Sequence, residues 1–275
     1  MAYKRILTIQ DISCVGQCSM TVAMPVLSAC GHEVCILPSA LLSSHTGGFK
    51  DPAITDLTAS MGPIRAHWLR EGITFDIIYT GYLGSLQAIR EAEAVVETLL
   101  APGGMLIVDP AMADHGKLYR GFDETYADVM KDFCARADLI LPNLTEAAMM
   151  AGTEFCQTYD ADGIGSLMAK QPCKQVLLTG VGFNPEQTGF ALRRGEEVQF
   201  FHHPRLERNY HGTGDLFASA FVGALASGKD AFAAGQIASA FTLRSIRNTA
   251  DSPAHWYGVK FEPALADLIE MLKNK

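Results

Sequence analysis

The segment His211–Gly212–Thr213–Gly214–Asp215 stands directly before an apolar stretch, Leu216–Ala226, that reads as a helix. Two glycines at a helix start let the backbone turn tightly and aim several N–H groups at one point. Those unpaired donors and the helix dipole together make an anion site. A carboxylate in the same turn is awkward for bare anion binding, because it adds like charge. It fits a site in which Asp215 takes a proton from a hydroxyl nucleophile while the amides hold a phosphoryl group in transfer. The plain alternative is an ordinary N-cap, with Thr213 or Asp215 capping the helix, and the motif alone leaves both open. Two further segments carry hard oxygen donors: Asp109–Pro110 after an apolar run, and Pro142–Asn143–Leu144–Thr145–Glu146. Asp109, Asn143 and Glu146 suit a water-rich Mg²⁺ shell. Each also has a plain reading, Asp109–Pro110 as a strand-end turn and Glu146 as the fourth residue of a capping box begun by Asn143. Phosphoryl transfer needs positioning, a metal and a base, and the three segments together supply candidates for each. No GxxxxGK[ST] sequence is present, so a P-loop is not the route.

These residues must be brought together by regular elements. Apolar runs predict strands over Lys4–Ile9, Glu33–Leu37, Asp76–Thr80, Met105–Val108, Leu139–Leu141 and Val176–Thr179. Amphipathic or apolar stretches predict helices over Ser19–Ala29, Ala53–Arg70, Ser85–Leu100, Glu124–Ala135, Thr145–Ala151, Thr213–Ser227, Ala231–Ser245 and Pro263–Leu272. Thr188–Arg193 and Val198–His202 read as an antiparallel hairpin around Arg194–Gly195–Glu196. Such alternation predicts an α/β fold with a mainly parallel sheet, covered on both faces, and a late antiparallel edge. Ligands of open α/β sheets lie beyond the carboxyl ends of the strands. Polar and glycine-rich residues gather there, at Gln10–Ser13, Ser43–Phe49, Thr80–Gly84, Asp109–Gly116, Pro142–Glu146 and Thr179–Gly182. With no linker or repeat, residues 1–275 read as one domain.

The chain has 275 residues, 48% of them hydrophobic, enough for one sizeable core. A net charge of −8 argues against a broad nucleic-acid surface or a basic membrane patch. Only the short run Ile6–Ile9 precedes Gln10, so no signal peptide is expected. No run approaches the length of a membrane span. Seven scattered cysteines form no complete zinc set and read as reduced thiols of a cytoplasmic protein. His202, His203 and His211 lack a supporting carboxylate or cysteine at ligand spacing, so no histidine metal site is expected.

Across nearly the whole chain these segments resemble, in order, the motifs of the ribokinase-like superfamily. That resemblance implies a three-layer α/β/α sandwich, Asp215 as catalytic base, and the amides of Gly212, Thr213 and Gly214 around the γ-phosphate of ATP. Asp109–Asp114 with His115–Tyr119 is similar to the DPxxGD…GxxY stretch of pyridoxal kinases, with Ala113 in place of the usual glycine. Asp114, His115, Gly116 and Tyr119 would belong to a flap that closes over the phosphates and excludes water. Pro142–Glu146 resembles the family's PNxxE motif, which implies that Asp109, Asn143 and Glu146 serve Mg²⁺ and ATP. Thr179–Gly180 matches a nucleotide contact. A homodimer follows from the family alone, and dependence on a monovalent cation is left open.

Between the second strand and the next helix lie only Pro38–Lys50, too short for the β lid that sugar kinases of this superfamily carry. That gap favours a vitamin kinase. Ser44–Phe49 resembles the pyridoxal kinase SxHT segment, implying Thr46 on the pyridine nitrogen and His45 in the pocket wall. Thr80–Gly81–Tyr82 resembles the TGY segment, which sets an aromatic face beside a flat ring. Where the family has Gln-Ser, this chain has Gln10–Asp11, with Ser13 nearby. A carboxylate there repels a phenolate and welcomes a protonated nitrogen. The preferred vitamer thus stays open, with the charge turned toward pyridoxamine or pyridoxine. The expected activity is phosphorylation of the 5′-hydroxymethyl group of a B6 vitamer. Hydroxymethylpyrimidine (phosphate) kinase and a non-catalytic nucleotide- or B6-binding homologue are the alternatives. A Rossmann oxidoreductase is set aside, because Asp11–Ser19 holds a single glycine.

Overall fold

The computed structural model describes residues 3–206 and 210–273. The chain opens with β1 (Arg5–Ser13), α1 (Met20–Ala29), β2 (Glu33–Leu42), a short β3 (Ile54–Asp56) and α2 (Thr58–Arg70). Then come β4 (Phe75–Thr80), α3 (Leu86–Leu99), β5 (Leu100–Val108), and the two-residue strands β6 (Ala113–Asp114) and β7 (Lys117–Leu118). They are followed by α4 (Glu124–Cys134), β8 (Leu139–Ile140), α5 (Leu144–Met150), α6 (Ala161–Ala169) and β9 (Gln175–Thr179). The hairpin β10 (Gln187–Arg194) and β11 (Glu197–Pro204) precedes α7 (Thr213–Ala226), α8 (Ala231–Ala250), a 3₁₀ turn at Glu262–Ala264 and α9 (Leu265–Lys273).

One sheet runs in the order β11-β10-β9-β8-β5-β4-β1-β2-β3. The pairs from β9 to β2 are parallel, while β3, β10 and β11 join antiparallel. Side chains of α2 to α6 fill one face, and those of α1, α7, α8 and α9 fill the other. This is the expected three-layer α/β/α sandwich without a separate β lid. No helix among the described residues is long and apolar enough to cross a membrane.

Strand β1 has β2 on one side and β4 on the other, so successive connections leave it in opposite directions. That switch opens a crevice beyond the carboxyl ends of β1 and β4. Backbone bonds tie the neighbouring strand ends into a row. The N–H of Gly81 donates to the Ile9 carbonyl at 3.2 Å, and that of Asp109 to Thr80 at 2.9 Å. Leu141 donates to Val108 and Thr179 to Pro142, both at 2.9 Å.

Several elements differ from the expectations, among them β1 and β2, which run on to Ser13 and Leu42 where Ile9 and Leu37 were the expected ends, and β5, which begins at Leu100 and not Met105. Ala53–Asp56 is not the first turn of a helix but leads into β3, an edge strand whose residues are all exposed and so carry no apolar signal. It exists because Leu41 and Leu42 of β2 offer it a partner. Helix α6 was not foreseen: Gly163 and Gly165 lower its propensity, yet Ile164, Leu167 and Met168 bury one face and Asp160 caps it. Helix α8 continues to Ala250, beyond Ser245. Strands β6 and β7 shape the segment expected to be a flap, to which the sequence assigned no strand.

Helix α7 packs closely on α1, where a Cβ on Gly223 would fall 2.4 Å from Cys30 Sγ. Gly223→Ala is therefore expected to lose about 1–3 kcal/mol of unfolding free energy by overpacking. Urea denaturation reads this directly, and an unchanged midpoint would mean that α1 and α7 separate at no cost.

Candidate active site

Helices α3, α4, α5, α6 and α8 each begin with a side chain bonded to a first-turn amide. Helix α7 does not. Its N-cap is Gly212, with φ 76° and no side-chain bond, and Thr213 Oγ1 donates to the Tyr210 carbonyl at 3.2 Å instead of capping. A side chain at position 212 is barred twice, by the left-handed φ and by the Gln17 carbonyl, 1.8 Å from where its Cβ would lie. Beside Gly214 the space is open. The capping alternative for Thr213 and Asp215 thus falls away, and the first amides of α7 are left to an external acceptor.

Asp215 sits half-buried in this turn. Burial pushes its carboxyl up to about 7; the Ser19 amide opposes the shift and the charge of Asp11 adds to it. Asp109 is likewise raised by burial and by the negative charges of Glu146 and Asp215, with the Ala111 amide opposing. Three carboxylates thus share one low-dielectric region, a site that invites a cation.

The capping box between Asn143 and Glu146 is present in full. Asn143 Oδ1 accepts from Thr145 and Glu146 amides at 2.8 and 3.0 Å, and Glu146 Oε2 accepts from the Asn143 amide at 2.9 Å. The other oxygen of Glu146 reaches across to the Met112 amide at 2.9 Å and the Ala113 amide at 3.4 Å, while Asn143 Nδ2 donates to the Ala113 carbonyl at 2.8 Å. Glu146 is buried, and its carboxyl is raised by that burial against the three amides. These two side chains are spent on joining α5 to the loop after Asp109, so any service to a metal runs through that loop or through water. Asp109 differs, since one oxygen accepts only the Ala111 amide at 3.2 Å and further lone pairs remain.

The Asp114–Tyr119 stretch forms the β6–β7 hairpin. His115 and Gly116, with φ 50° and 76°, make a two-residue turn with both positions left-handed. Its turn is pinned to α5, because the Gly116 amide donates to Thr145 Oγ1 at 3.0 Å. Tyr119 is exposed, and its amide donates to the Met112 carbonyl at 2.8 Å. Ala113 takes ordinary strand geometry with no left-handed φ, so a glycine is not needed there. Thr179 Oγ1 lies 3.4 Å from the Pro142 carbonyl, and Gly180, φ 78°, has open space beside it.

On the acceptor side, Asp11 is buried and takes a bond from Ser13 Oγ at 2.9 Å. Burial raises its carboxyl against the hydroxyls of Ser19 and Ser13. Tyr82 is half-buried, 5.4 Å from Phe122 in a stacked pair, and feels the charge of Asp11. His45 is tied at both nitrogens: Nδ1 accepts from the Gly47 amide at 3.1 Å, and Nε2 donates to the Tyr257 carbonyl at 2.6 Å. Burial lowers its pKa, which keeps the ring neutral. It therefore shapes the loop rather than offering a free donor. Thr46 is exposed, with its hydroxyl free of hydrogen bonds to the described residues.

Sequence reasoning missed Ser19, Phe122 and the Trp256–Tyr257 segment. Ser19 is buried with φ 51° and ψ −125°, a backbone strain of the kind found at functional sites, and its neighbours are the carboxylates of Asp11 and Asp215. No residue type announces a left-handed serine, whereas the aromatic residues carried a readable but unplaced signal.

Comparison with known proteins gives the following. The family model described as phosphomethylpyrimidine kinase matches residues 30–259. The crystal structure of pyridoxal kinase from Lactobacillus plantarum is 32% identical with a TM-score of 0.90, covering 98% of both chains. A Bacteroides thetaiotaomicron structure carrying the phosphomethylpyrimidine kinase description, in an orthorhombic form with pyridoxal, is 32% identical with a TM-score of 0.90 over 97% of this chain and 96% of that one. The hydroxymethylpyrimidine/phosphomethylpyrimidine kinase of Bacillus subtilis is 26% identical over 182 residues, 65% of this chain and 66% of its own.

The charge of Asp11 helps to hold the Asp215 carboxyl up at about 7. Asp11→Asn removes that charge, so the Asp215 midpoint should move to lower pH. Carbon-13 NMR of the carboxyl carbons measures both midpoints, and no movement would separate the two groups electrostatically.

Proposed function

This chain belongs to the phosphomethylpyrimidine kinase family and is a kinase with an alcohol acceptor, and from that premise we propose that it transfers the γ-phosphoryl group of ATP to the 5′-hydroxymethyl group of a vitamin B6 vitamer. The observation that carries this reading is the uncapped start of α7 with Asp215 in its first turn. A base whose pKa sits near the working pH is matched to removing a proton from a hydroxyl in the transition state. Asp215 takes the hydroxyl proton as that oxygen bonds to the γ-phosphorus. The bond from phosphorus to the β-phosphate oxygen breaks, ADP leaves, and the vitamer 5′-phosphate forms. The amides of Gly212, Thr213 and Gly214 hold the phosphoryl oxygens as charge shifts between them.

Asp109, with lone pairs to spare, would hold Mg²⁺ directly, and nucleotide phosphates and water would complete a shell of the kind this ion prefers. Bound there, Mg²⁺ would neutralise charge building on the leaving phosphate. Asn143 and Glu146 set the loop that carries Asp109, and Thr179 and Gly180 line the nucleotide side. Asp114, His115, Gly116 and Tyr119 cover the phosphates. Tyr82 offers its ring face to the vitamer, Thr46 its hydroxyl to the ring nitrogen, and Asp11 with Ser13 a polar floor that favours a donor or a positive charge on the vitamer. A homodimer, a cytoplasmic location and the metal's identity are parts of the same proposal.

A coupled ADP-release assay tests it, with pyridoxal, pyridoxamine, pyridoxine and hydroxymethylpyrimidine as acceptors. Turnover of hydroxymethylpyrimidine in preference to all three vitamers would replace the B6 assignment with the thiamine-precursor one. Asp215→Ala should cut kcat by ~10²–10⁴ with ATP binding retained, and full activity in that variant would defeat the assigned base. Because Asp215 acts ionised, kcat/KM should rise with pH through a midpoint near 7. Chelation of Mg²⁺ by EDTA should abolish turnover, and restored Mg²⁺ should recover it.

A further inference from the structure

His211, one residue before the anion turn, is exposed on one side and lies with the other against the acceptor loop. A Cβ on Gly47 would fall 2.5 Å from His211 Nδ1 and 2.8 Å from its Cε1, and one on Gly48 would fall 3.5 Å from Nε2. The ring also lies 5.2 Å from that of His45. Glycine at 47 and 48 is what lets the imidazole approach this closely.

The same loop is held from behind by the C-terminal segment. His45 Nε2 donates to the Tyr257 carbonyl at 2.6 Å, Phe49 packs on Trp256 at 4.8 Å between ring centroids, and Gly48 leaves room for the Trp256 ring. That segment is tied in turn to the β1–α1 loop. Gln17 Oε1 accepts from His255 Nε2 at 2.9 Å, and Gln17 Nε2 donates to Glu262 Oε1 at 2.6 Å. The backbone carbonyl of Gln17 then closes on Gly212, 1.8 Å from the position a Cβ would take. A circuit results: acceptor loop, His211, Gly212, Gln17, C-terminal segment, and back to the acceptor loop. Three sides of the circuit are held by hydrogen bonds or tight backbone contact. The side formed by His211 is held by the bulk of one ring.

We propose that His211 is a positioning residue whose ring couples the acceptor loop Ser43–Phe49 to the anion turn Gly212–Gly214, so that acceptor binding and the phosphoryl cradle are set together. This rests on the phosphotransferase reading above. The ring is exposed on its outer side, but its inner side bears directly on the Gly47–Gly48 backbone and on His45, so a shift of the loop toward the anion turn meets the ring, and a shift of the turn meets the loop. By linkage, an acceptor that seats the loop must strengthen nucleotide binding by the same factor by which nucleotide strengthens acceptor binding.

The test pairs binding with kinetics. In the wild type, a saturating acceptor should tighten binding of a non-hydrolysable ATP analogue by about fivefold or more. In His211→Ala that enhancement should vanish, while affinity for the analogue alone stays as in the wild type. Gly47→Ala pushes a methyl group into the ring's place and should lower kcat/KM for the acceptor by up to ~10²-fold. Adding His211→Ala to Gly47→Ala should cost far less than the product of the two single losses, since the ring that the methyl displaces is already gone. Multiplying losses, or an enhancement intact in His211→Ala, would overturn the proposal. Thermal unfolding checks that the variants are folded, and His211→Asn replaces His211→Ala in the same comparison if the alanine variant is not. Failure of the wild type to phosphorylate any acceptor would strike the kinase reading instead, and would be seen before any variant is made.

Discussion

Negative charge gathered in partly and fully buried carboxylates is the constraint on which the rest of this structure depends. Asp109 follows the end of a central strand, Asp215 opens a helix on one face of the sheet, and Glu146 lies in a helix on the other face. The charges that act most on Asp109 are those of the other two, and all three carboxyls are raised by burial. A protein keeps such an arrangement only if something else completes it. The uncapped amides of α7 show the same incompleteness with the opposite sign. An anion beside those amides and a cation beside Asp109 would satisfy both at once, and a nucleotide phosphate carrying its metal is such a pair.

The surrounding structure holds this unstable arrangement by spending other residues on geometry. Glu146 is engaged by three amides and anchors the loop that follows Asp109. Left-handed φ values at Ser19, Ala111 and His115 fall around the cleft, in residues for which that conformation is unfavourable. Gly212 needs both its φ and its missing side chain, because the Gln17 carbonyl occupies the place a Cβ would take. Strain and close approach are thus concentrated where the phosphoryl group would pass, and regular packing elsewhere bears their cost.

The acceptor side follows a different logic. Its loop carries few fixed bonds of its own and takes its shape from His45, Phe49 and the residues around Trp256. Asp11 lies below it, bonded to Ser13 and close to both Tyr82 and Asp215. A buried carboxylate near an aromatic face selects for a hydrogen-bond donor on the ring that rests there.

Much of this was legible in the linear chain. Alternating apolar runs announced the parallel sheet, and the glycines beside Asp215 announced the start of a helix, because both depend on contacts within a few residues. The three-residue spacing of Asn143 and Glu146 likewise announced a capping box, which forms in full. Local spacing did not say that the free oxygen of Glu146 would reach Met112, that Ala53 would lead into a strand and not a helix, or that Ser19 would face two carboxylates. Nor did it place His211 on Gly47, or Tyr257 on His45. Apart from the shorter reaches of β3 to β2 and of Ser19 to Asp11, those pairings join positions from 34 to 212 residues apart. They follow from the order of strands in the sheet and from which helices share a face, and only the packed tertiary structure supplies that order.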